Sequence, residues 1–278
     1  MTSDKARAAL IFSANLVLLV TLRPASAADA SSWDGTERAA VRLIAGAARA
    51  EGAATIQRAG IEIRLAPGWK TYWRYPGDSG LPPRFDFSRS LNVKTVTVRW
   101  PAPQRLSDES GVSIGYKHDV VFPLEVTAQD AGKPVMLALK IDYAVCEKIC
   151  VPADGKAELT LSGQSSAKDW KLAASDMLVP RPVKIGEGTP SILAVKRDGS
   201  RVLVDVAAPS GTVDLFAEGP TPHWALPVPS PIDGAPAGQQ RFAFELDGLP
   251  PGAKPDGATL TLTAVAGEQA VEVPYRLD

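Results

Sequence analysis

The chain has 278 residues, of which 45% are hydrophobic and 22% are charged. Its 30 basic residues nearly balance its 31 acidic ones, and the resulting net charge of −1 argues against a nucleic acid as its partner. The 23 glycines and 24 prolines separate many short runs of Val, Leu and Thr, which predicts an all-β protein long enough for two domains.

The first 27 residues have the pattern of a secretory signal peptide. Lys5 and Arg7 precede a mostly apolar run, Ala8–Leu22, and the small residues Ala25-Ser26-Ala27 follow as a cleavage site. Cleavage there removes three basic residues and one acidic residue, so the mature chain carries a net charge of −3. We therefore expect a periplasmic protein that does not itself span the membrane after cleavage, because no later run reaches about eighteen apolar residues.

Alternating apolar and polar residues predict a first β-sandwich domain at residues 28–165. The run Thr36–Ala50 is ambiguous, because its alanines favour a helix while every second residue from Val41 is apolar, and we favour a strand. Arg105–Gly111 is polar and is predicted to be a loop. The clearer strands are Thr55–Leu65, Val93–Trp100, Ile114–Tyr116, Val120–Ala128, Val135–Tyr143 and Lys156–Leu161.

The segment Trp69–Tyr75 contains four aromatic residues, and two interpretations of it remain open. The aromatic side chains would pack across one face of the sandwich. Alternatively, they would form a wall beside the cysteines that shields a thiolate and presents a docking surface.

The chain has only two cysteines, Cys146 and Cys150, directly after the predicted strand Val135–Tyr143. Four extended residues would place their Cα atoms about 13 Å apart, whereas a disulfide tolerates at most about 7 Å. If the pair bonds, the backbone between the cysteines must therefore turn. Pro152 lacks an N–H donor and is expected to prevent a regular ladder after the turn.

A disulfide across so short a loop has little value as a structural crosslink. Loop closure predicts about 2 kcal/mol for a loop of about five residues, against about 4 kcal/mol for a loop of about sixty. Redox chemistry is a better reason for the pair, since free thiols do not persist in an oxidising compartment unless they are reduced repeatedly. An inert local disulfide and a Cu(I)-binding thiol pair remain as alternatives. No cofactor is predicted, and the two cysteines and two histidines predict no zinc site.

The remaining residues predict a linker and a second β-sandwich. Ser166–Asp176 has helical spacing within a linker at residues 166–183. Asp198-Gly199 indicates a hairpin within the second domain at residues 184–278, which we interpret as a spacer or a partner-binding module. Its predicted strands are Ile192–Lys196, Arg201–Val206, Thr212–Phe216, Arg241–Leu246, Thr259–Val265 and Ala270–Tyr275.

Four motifs in a fixed order carry a resemblance to a known family. They are Ala66–Arg74 with Gly77–Pro83, Gly115-Tyr116, Val121–Leu124, and Cys146–Pro152. Together they resemble the periplasmic N-terminal domain of the DsbD/ScsB thiol:disulfide interchange proteins, in particular the ScsB-like branch, over roughly Val41 to Leu161. The resemblance includes neither the family's membrane-spanning conduit nor its thioredoxin-like domain.

The resemblance implies an immunoglobulin-like β-sandwich, and hence two such domains joined by a short helical linker. It also implies a protein-disulfide reductase or electron-transfer component, whose partners are a separate membrane electron conduit and periplasmic thioredoxin-like proteins. In the family a cysteine pair at a strand end is covered by a cap loop. The second cysteine, here Cys150, forms the mixed disulfide with the partner, and Cys146 resolves it.

By position, Arg105–Ile114 would be the cap loop. The cap loop and active-site wall would comprise Tyr72, Trp69, Glu109, Val112 and Tyr116. This chain departs from DsbD itself, which has five residues between its cysteines, because it has three, as ScsB-like members do.

Overall fold

The computed structural model describes residues 28–52, 54–77, 80–108, 111–208 and 211–278, so the predicted signal peptide lies outside it. These residues form 19 strands and one helix, which confirms the all-β prediction. The strands of the first half (residues 28–165) are β1 Asp34–Gly35, β2 Ala39–Glu51, β3 Ala54–Leu65, β4 Lys70–Gly77, β5 Arg84–Asp86, β6 Val93–Val98, β7 Gln104–Asp108, β8 Gly111–Tyr116, β9 Val120–Ala128, β10 Val135–Cys146 and β11 Cys150–Leu161.

The first half is an immunoglobulin-like sandwich of two sheets. One sheet has the strand order β1-β2-β3-β9-β6, and the other has the order β11-β10-β4-β8-β7, with the short β5 pairing with β10. Every second residue of the long strands points between the sheets, as the alternating sequence predicts. Ile61 and Ile63 of β3 and Leu137 and Ile141 of β10 are fully buried in this common core.

Three local predictions can be compared with the structure. Thr36–Ala50 does form a strand, β2, because its alternate residues fill the core. The predicted loop Arg105–Gly111 is wrong for its described residues, because Arg105–Asp108 and Gly111 are paired strand residues of β7 and β8 and Leu106 is buried. Pro152 does not interrupt the ladder, because β11 is an edge strand of its sheet, where a missing N–H donor is tolerated.

The second half (residues 181–278) is built from two four-stranded sheets. Their strand orders are β12-β19-β18-β15 and β13-β14-β17-β16. Gly199, at a positive φ of 62°, turns the chain between β13 and β14, as Asp198-Gly199 predicted. The strands are β12 Arg181–Pro182, β13 Ser191–Asp198, β14 Arg201–Ala207, β15 Asp214–Glu218, β16 Ser230–Ile232, β17 Gln240–Glu245, β18 Thr259–Ala266 and β19 Gln269–Arg276.

One helix, α1 (Asp169–Leu178), lies between the two halves in the sequence and packs on the first. The carboxylate of Asp169 accepts hydrogen bonds from the backbone N–H groups of Ser166 and Ala47, which fixes the start of the helix against β2. Leu172 is fully buried against Gly46 and Gly60, where a larger side chain would collide with it. In the part of the chain that the structure describes, no helix is long and apolar enough to cross a membrane.

Candidate active site

The two cysteines face each other at the turn end of the hairpin formed by β10 and β11. Cys146 is the last residue of β10 and pairs directly with Cys150, the first residue of β11. Their sulfur atoms form a disulfide, and their Cα atoms lie 4.1 Å apart. Glu147–Ile149 form the three-residue turn between them, so the backbone does reverse as the sequence spacing required.

The disulfide lies on the outer face of its sheet, away from the sandwich core. Val145 is buried in the core, so the next residue, Cys146, points to the opposite face. Strand β4 runs beside β10 with Thr71 opposite Val145 and Lys70 opposite Cys146. Tyr72, one residue further along β4, therefore emerges on the same outer face as the disulfide and packs against Cys146.

The hydroxyl of Tyr72 contacts both sulfur atoms. It lies 2.7 Å from Cys146 Sγ and 3.1 Å from Cys150 Sγ. Because disulfide sulfurs carry no hydrogen, the tyrosine is the donor in both contacts. The side chain of Tyr72 is 1% exposed, so this donor is held in a site largely closed to water.

The two sulfur-bearing residues differ strongly in exposure. Cys146 is 1% exposed, whereas Cys150 is an exposed residue at the start of β11. Ile149, which precedes Cys150, is a large apolar residue that is 69% exposed. The disulfide is therefore asymmetric, with Cys146 buried and Cys150 in an exposed turn.

Gly80 covers the ring of Tyr72, a contact that its sequence motif does not reveal. It has a φ of +130°, and a Cβ atom added there would lie 2.4 Å from Tyr72 Cε1. The close approach requires a residue without a side chain. The glycines of the Gly77–Pro83 motif were the available signal, but their contact with Tyr72 depends on the tertiary fold.

Lys70 connects β4, the strand beside Cys146, to Ser113 in the hairpin of β7 and β8. Lys70 Nζ donates a hydrogen bond to Ser113 Oγ at 3.1 Å, and Ser113 Oγ donates to the carbonyl of Leu106 at 3.3 Å. Ser113 and Leu106 are both 2% exposed. Sequence reasoning missed these residues, because the spacing along the chain does not reveal that they are neighbours.

Of the other residues predicted for the cap loop and wall, only Trp69 lies near the cysteine turn among those that the structure describes. Trp69 stacks beneath Arg38 and lines a groove of about 300 Å³ together with Glu147, next to the cysteine turn. Val112 lies in β8 and packs against the core, and Glu109 lies outside the described residues.

Tyr116 was predicted to belong to the active-site wall, but its side chain lies in the sandwich core. It pairs with Thr71 on the core face, and its hydroxyl donates to the carbonyl of Pro101 at 2.9 Å. Burial raises the pKa of Tyr116 well above its usual range. The alternation of side chains along β8 places it inside the sandwich, whereas Tyr72 lies outside.

No group of three or more His, Cys, Asp or Glu side chains in the described ranges could hold a metal ion. The donors at the site are two bonded sulfurs and one phenol hydroxyl. The chemistry that this arrangement supports is the exchange of the Cys146–Cys150 disulfide with an external thiol.

The fold and the site together define the class of protein, a β-sandwich that carries an accessible disulfide at a hairpin end. A family model described as thiol:disulfide interchange protein DsbD, N-terminal, matches residues 41–162. Over residues 41–162 the chain is therefore similar to the N-terminal domain of the thiol:disulfide interchange protein DsbD.

A solved structure extends the likeness over both halves of the chain. It is the crystal structure of the N-terminal periplasmic domain of ScsB from Proteus mirabilis, with a TM-score of 0.69 at 20% sequence identity. The similarity covers 90% of this chain and 98% of that one, so the two share their fold. No curated protein matches the sequence.

Proposed function

We propose that the chain is a periplasmic thiol:disulfide exchange module that relays electrons between a membrane reductase and thioredoxin-like proteins. The observation that carries the proposal is the asymmetry of the disulfide, in which Cys150 is exposed and Cys146 is buried under a hydrogen-bond donor. The similar ScsB structure is that of a periplasmic domain, which supports the location. Export through a signal peptide at residues 1–27 is part of the proposal.

Reduction of the module begins at Cys150. The thiolate of the donor protein attacks Cys150 Sγ, the Cys146–Cys150 bond breaks, and its electron pair stays on Cys146 Sγ. The hydroxyl of Tyr72, 2.7 Å from that sulfur, donates a hydrogen bond to the new thiolate. A second thiolate of the donor then displaces Cys150, so the donor leaves oxidised and the module keeps two electrons.

Delivery of the electrons reverses these steps. The thiolate of Cys150 attacks the disulfide of a thioredoxin-like protein and forms a mixed disulfide with it. The thiolate of Cys146 then attacks Cys150 Sγ, which re-forms the internal disulfide and releases the partner as a dithiol. Cys150 thus meets the partner and Cys146 resolves the complex.

The surrounding elements have supporting roles in this proposal. The hairpin of β7 and β8 corresponds to the cap, and Tyr72, Gly80 and Trp69 form the wall beside the cysteine turn. We assign residues 28–165 to the domain that carries the cysteines, residues 166–183 to the linker with α1, and residues 184–278 to a second domain.

The reduction potential of the disulfide tests the proposal. The oxidised protein is equilibrated in glutathione and dithiothreitol buffers, and the reduced fraction is quantified by thiol alkylation. A potential above about −300 mV is expected for an exchanging pair, since inert structural disulfides lie below that value. A value below it would favour the alternative, an exported β-sandwich binding protein with a structural disulfide. A Cys146→Ala/Cys150→Ala double variant measures the background of the alkylation reaction.

A further inference from the structure

The part of β4 that directly follows Tyr72 is not paired with β8 and packs against the second half of the chain. Tyr72 pairs with Gly115 of β8, and the next pair along the ladder is Gly77 with Ser113. Five steps along β4 thus correspond to two along β8, so β4 carries a bulge of three extra residues. Such a bulge redirects the side chains of its strand.

Two aromatic residues of this bulge are buried against the second half. Trp73 has no exposed surface, and its ring centroid lies 5.8 Å from that of Phe216. The hydroxyl of Tyr75 donates a hydrogen bond to the carbonyl of Leu226. Trp73, Tyr75 and Phe216 belong to the same hydrophobic core, which therefore continues from the first half into the second.

An ion cluster joins the same bulge to two strands of the second half. Arg74 donates to both carboxylate oxygens of Glu218 at 2.7 to 3.1 Å, and its Nη2 also donates to Glu272 Oε2 at 2.5 Å. The guanidinium lies 4.3 Å from the centroid of the Trp73 ring. The three charged side chains are between 17% and 30% exposed, so their geometry is held by mutual pairing more than by water.

A second set of hydrogen bonds joins the hairpin of β7 and β8 to the second half of the chain. Arg105 of β7 donates to Asp214 Oδ1 at 3.2 Å and to the carbonyl of Pro229 at 2.6 Å. The β4 bulge, which directly follows Tyr72, and β7, two strands away from β4 in the same sheet, thus both contact residues beyond 213. These partners lie outside residues 41–162, the part that the family model matches.

We infer that the second half positions the active site, and that the cluster of Arg74, Glu218 and Glu272 is a positioning site for Tyr72. Tyr72 is the direct neighbour of the bulge, and its contacts with sulfur require an alignment of a few tenths of an ångström. The guanidinium of Arg74 donates its hydrogen bonds to the two carboxylates and not to the sulfurs. The cluster therefore affects the disulfide through the position of Tyr72. The inference rests on the proposed function, because it concerns the exchange of the same disulfide.

The test compares three carboxamide variants of the full chain in two backgrounds. Glu218→Gln and Glu272→Gln weaken the cluster, and Glu245→Gln is the matched control, since it alters an exposed ion pair with Arg201 in the other sheet of the second half. Each variant is made with Tyr72 and with Tyr72→Phe. The second-order rate of disulfide reduction by dithiothreitol and the glutathione equilibrium are measured below the unfolding temperature of every variant.

We expect Glu218→Gln to slow reduction about tenfold and Glu272→Gln about threefold, with Glu245→Gln unchanged. In the Tyr72→Phe background the two cluster variants should cause no further slowing, a coupling that general destabilisation does not produce. If Glu218→Gln does not fold, Glu272→Gln decides the question, because Glu218 still holds the guanidinium.

Either of two results would overturn this inference and leave the proposed function intact. One is that folded cluster variants react at the rate of the unmodified protein, and the other is that they are slowed equally with and without the hydroxyl of Tyr72. If the unmodified protein itself exchanged with neither glutathione nor dithiothreitol, the proposed function would fail, and the inference with it.

Discussion

The hydroxyl of Tyr72 lies 2.7 Å from Cys146 Sγ, the buried sulfur of the disulfide, and 3.1 Å from Cys150 Sγ, the sulfur of the exposed residue. The donor is therefore placed at the sulfur that becomes the leaving group when an external thiolate attacks Cys150. Hydrogen bonds to charged acceptors are about twice as strong as those between neutral groups. The contact thus favours cleavage of the disulfide more than it favours the intact bond.

Replacing Tyr72 with Phe should slow reduction of the disulfide by about tenfold, since a hydrogen bond to a charged sulfur is stronger than one to a neutral sulfur by about 1.4 kcal/mol. The measurement is the second-order rate with dithiothreitol. Tyr143→Phe is the matched control, because Tyr143 lies in the same strand as Cys146 and its buried hydroxyl has no hydrogen-bond partner among the described residues. Burial raises the pKa of Tyr143 to about 12. Equal rates for the two variants would contradict the role assigned to Tyr72.

Gly80→Ala should displace the ring of Tyr72 and slow the exchange reaction. The added Cβ atom would lie 2.4 Å from Tyr72 Cε1, at a φ of +130°. Gly132→Ala is the control, because Gly132 also has a positive φ, of 82°, and a Cβ atom there would meet no atom of the described residues within 4 Å. The control should lose about 1 to 2 kcal/mol of stability from backbone strain alone and keep its exchange rate. A Gly80→Ala protein with an unchanged rate would show that the ring does not depend on this contact.

Reducing the disulfide should destabilise the protein only slightly. The bond closes a loop of five residues, Cys146 to Cys150, for which loop closure predicts about 2 kcal/mol. Urea unfolding with and without a reductant measures the difference directly. A loss of about 5 kcal/mol or more would indicate a structural crosslink and would favour the alternative of a permanently bonded pair.

The buried carboxylate of Glu62 should make the stability of the fold decline at acidic pH. Burial pushes the pKa of Glu62 upward, but hydrogen bonds from Lys171 and Arg42 outweigh it and lower the pKa below 4.5. A lowered pKa contributes stability that is present above the unfolded value and is lost as the pH falls through the folded one. The free energy of unfolding should therefore decrease as the pH is lowered from 6 to 3.

A variant separates this contribution from the other carboxylates. Glu62→Gln should cost about 3 kcal/mol at neutral pH, since it leaves the partly buried Arg42 and Lys171 without their buried counter-charge, and should flatten the decline at low pH. Glu245→Gln, at an exposed ion pair, should leave both the stability and the slope unchanged. Parallel profiles for Glu62→Gln and the unmodified protein would contradict this account.

The long strands could be predicted from the sequence because they bury every second side chain, as in β3 and β10. The hairpin of β7 and β8 could not, because β7 lies at a sheet edge and has mostly polar residues, so only Leu106 marks its buried face. The strands β1, β5, β12 and β16 have two or three residues each, which is too few for a period to be recognised.

The same limit applies to the site. The spacing of the cysteines required a turn only if they bond, and it left the bond itself open; Tyr72 was named from the family resemblance. Tyr116, which the resemblance assigned to the active-site wall, lies on the core face of β8; the face of a strand residue depends on its register, which the sequence around Gly115 does not specify. The cluster of Arg74, Glu218 and Glu272 joins residues up to 198 positions apart, so no local pattern could reveal it.

If Cys150 exchanges with a thioredoxin-like protein while Cys146 resolves the complex, the two cysteines should differ in a trapping experiment. Cys146→Ser and Cys150→Ser variants of the full chain are each incubated with an oxidised thioredoxin-like protein, and the covalent complex is quantified on a non-reducing gel. Cys146→Ser, which keeps the thiol of the exposed residue, should accumulate a mixed disulfide, and Cys150→Ser should not. Equal trapping by the two variants, or none by either, would contradict these roles.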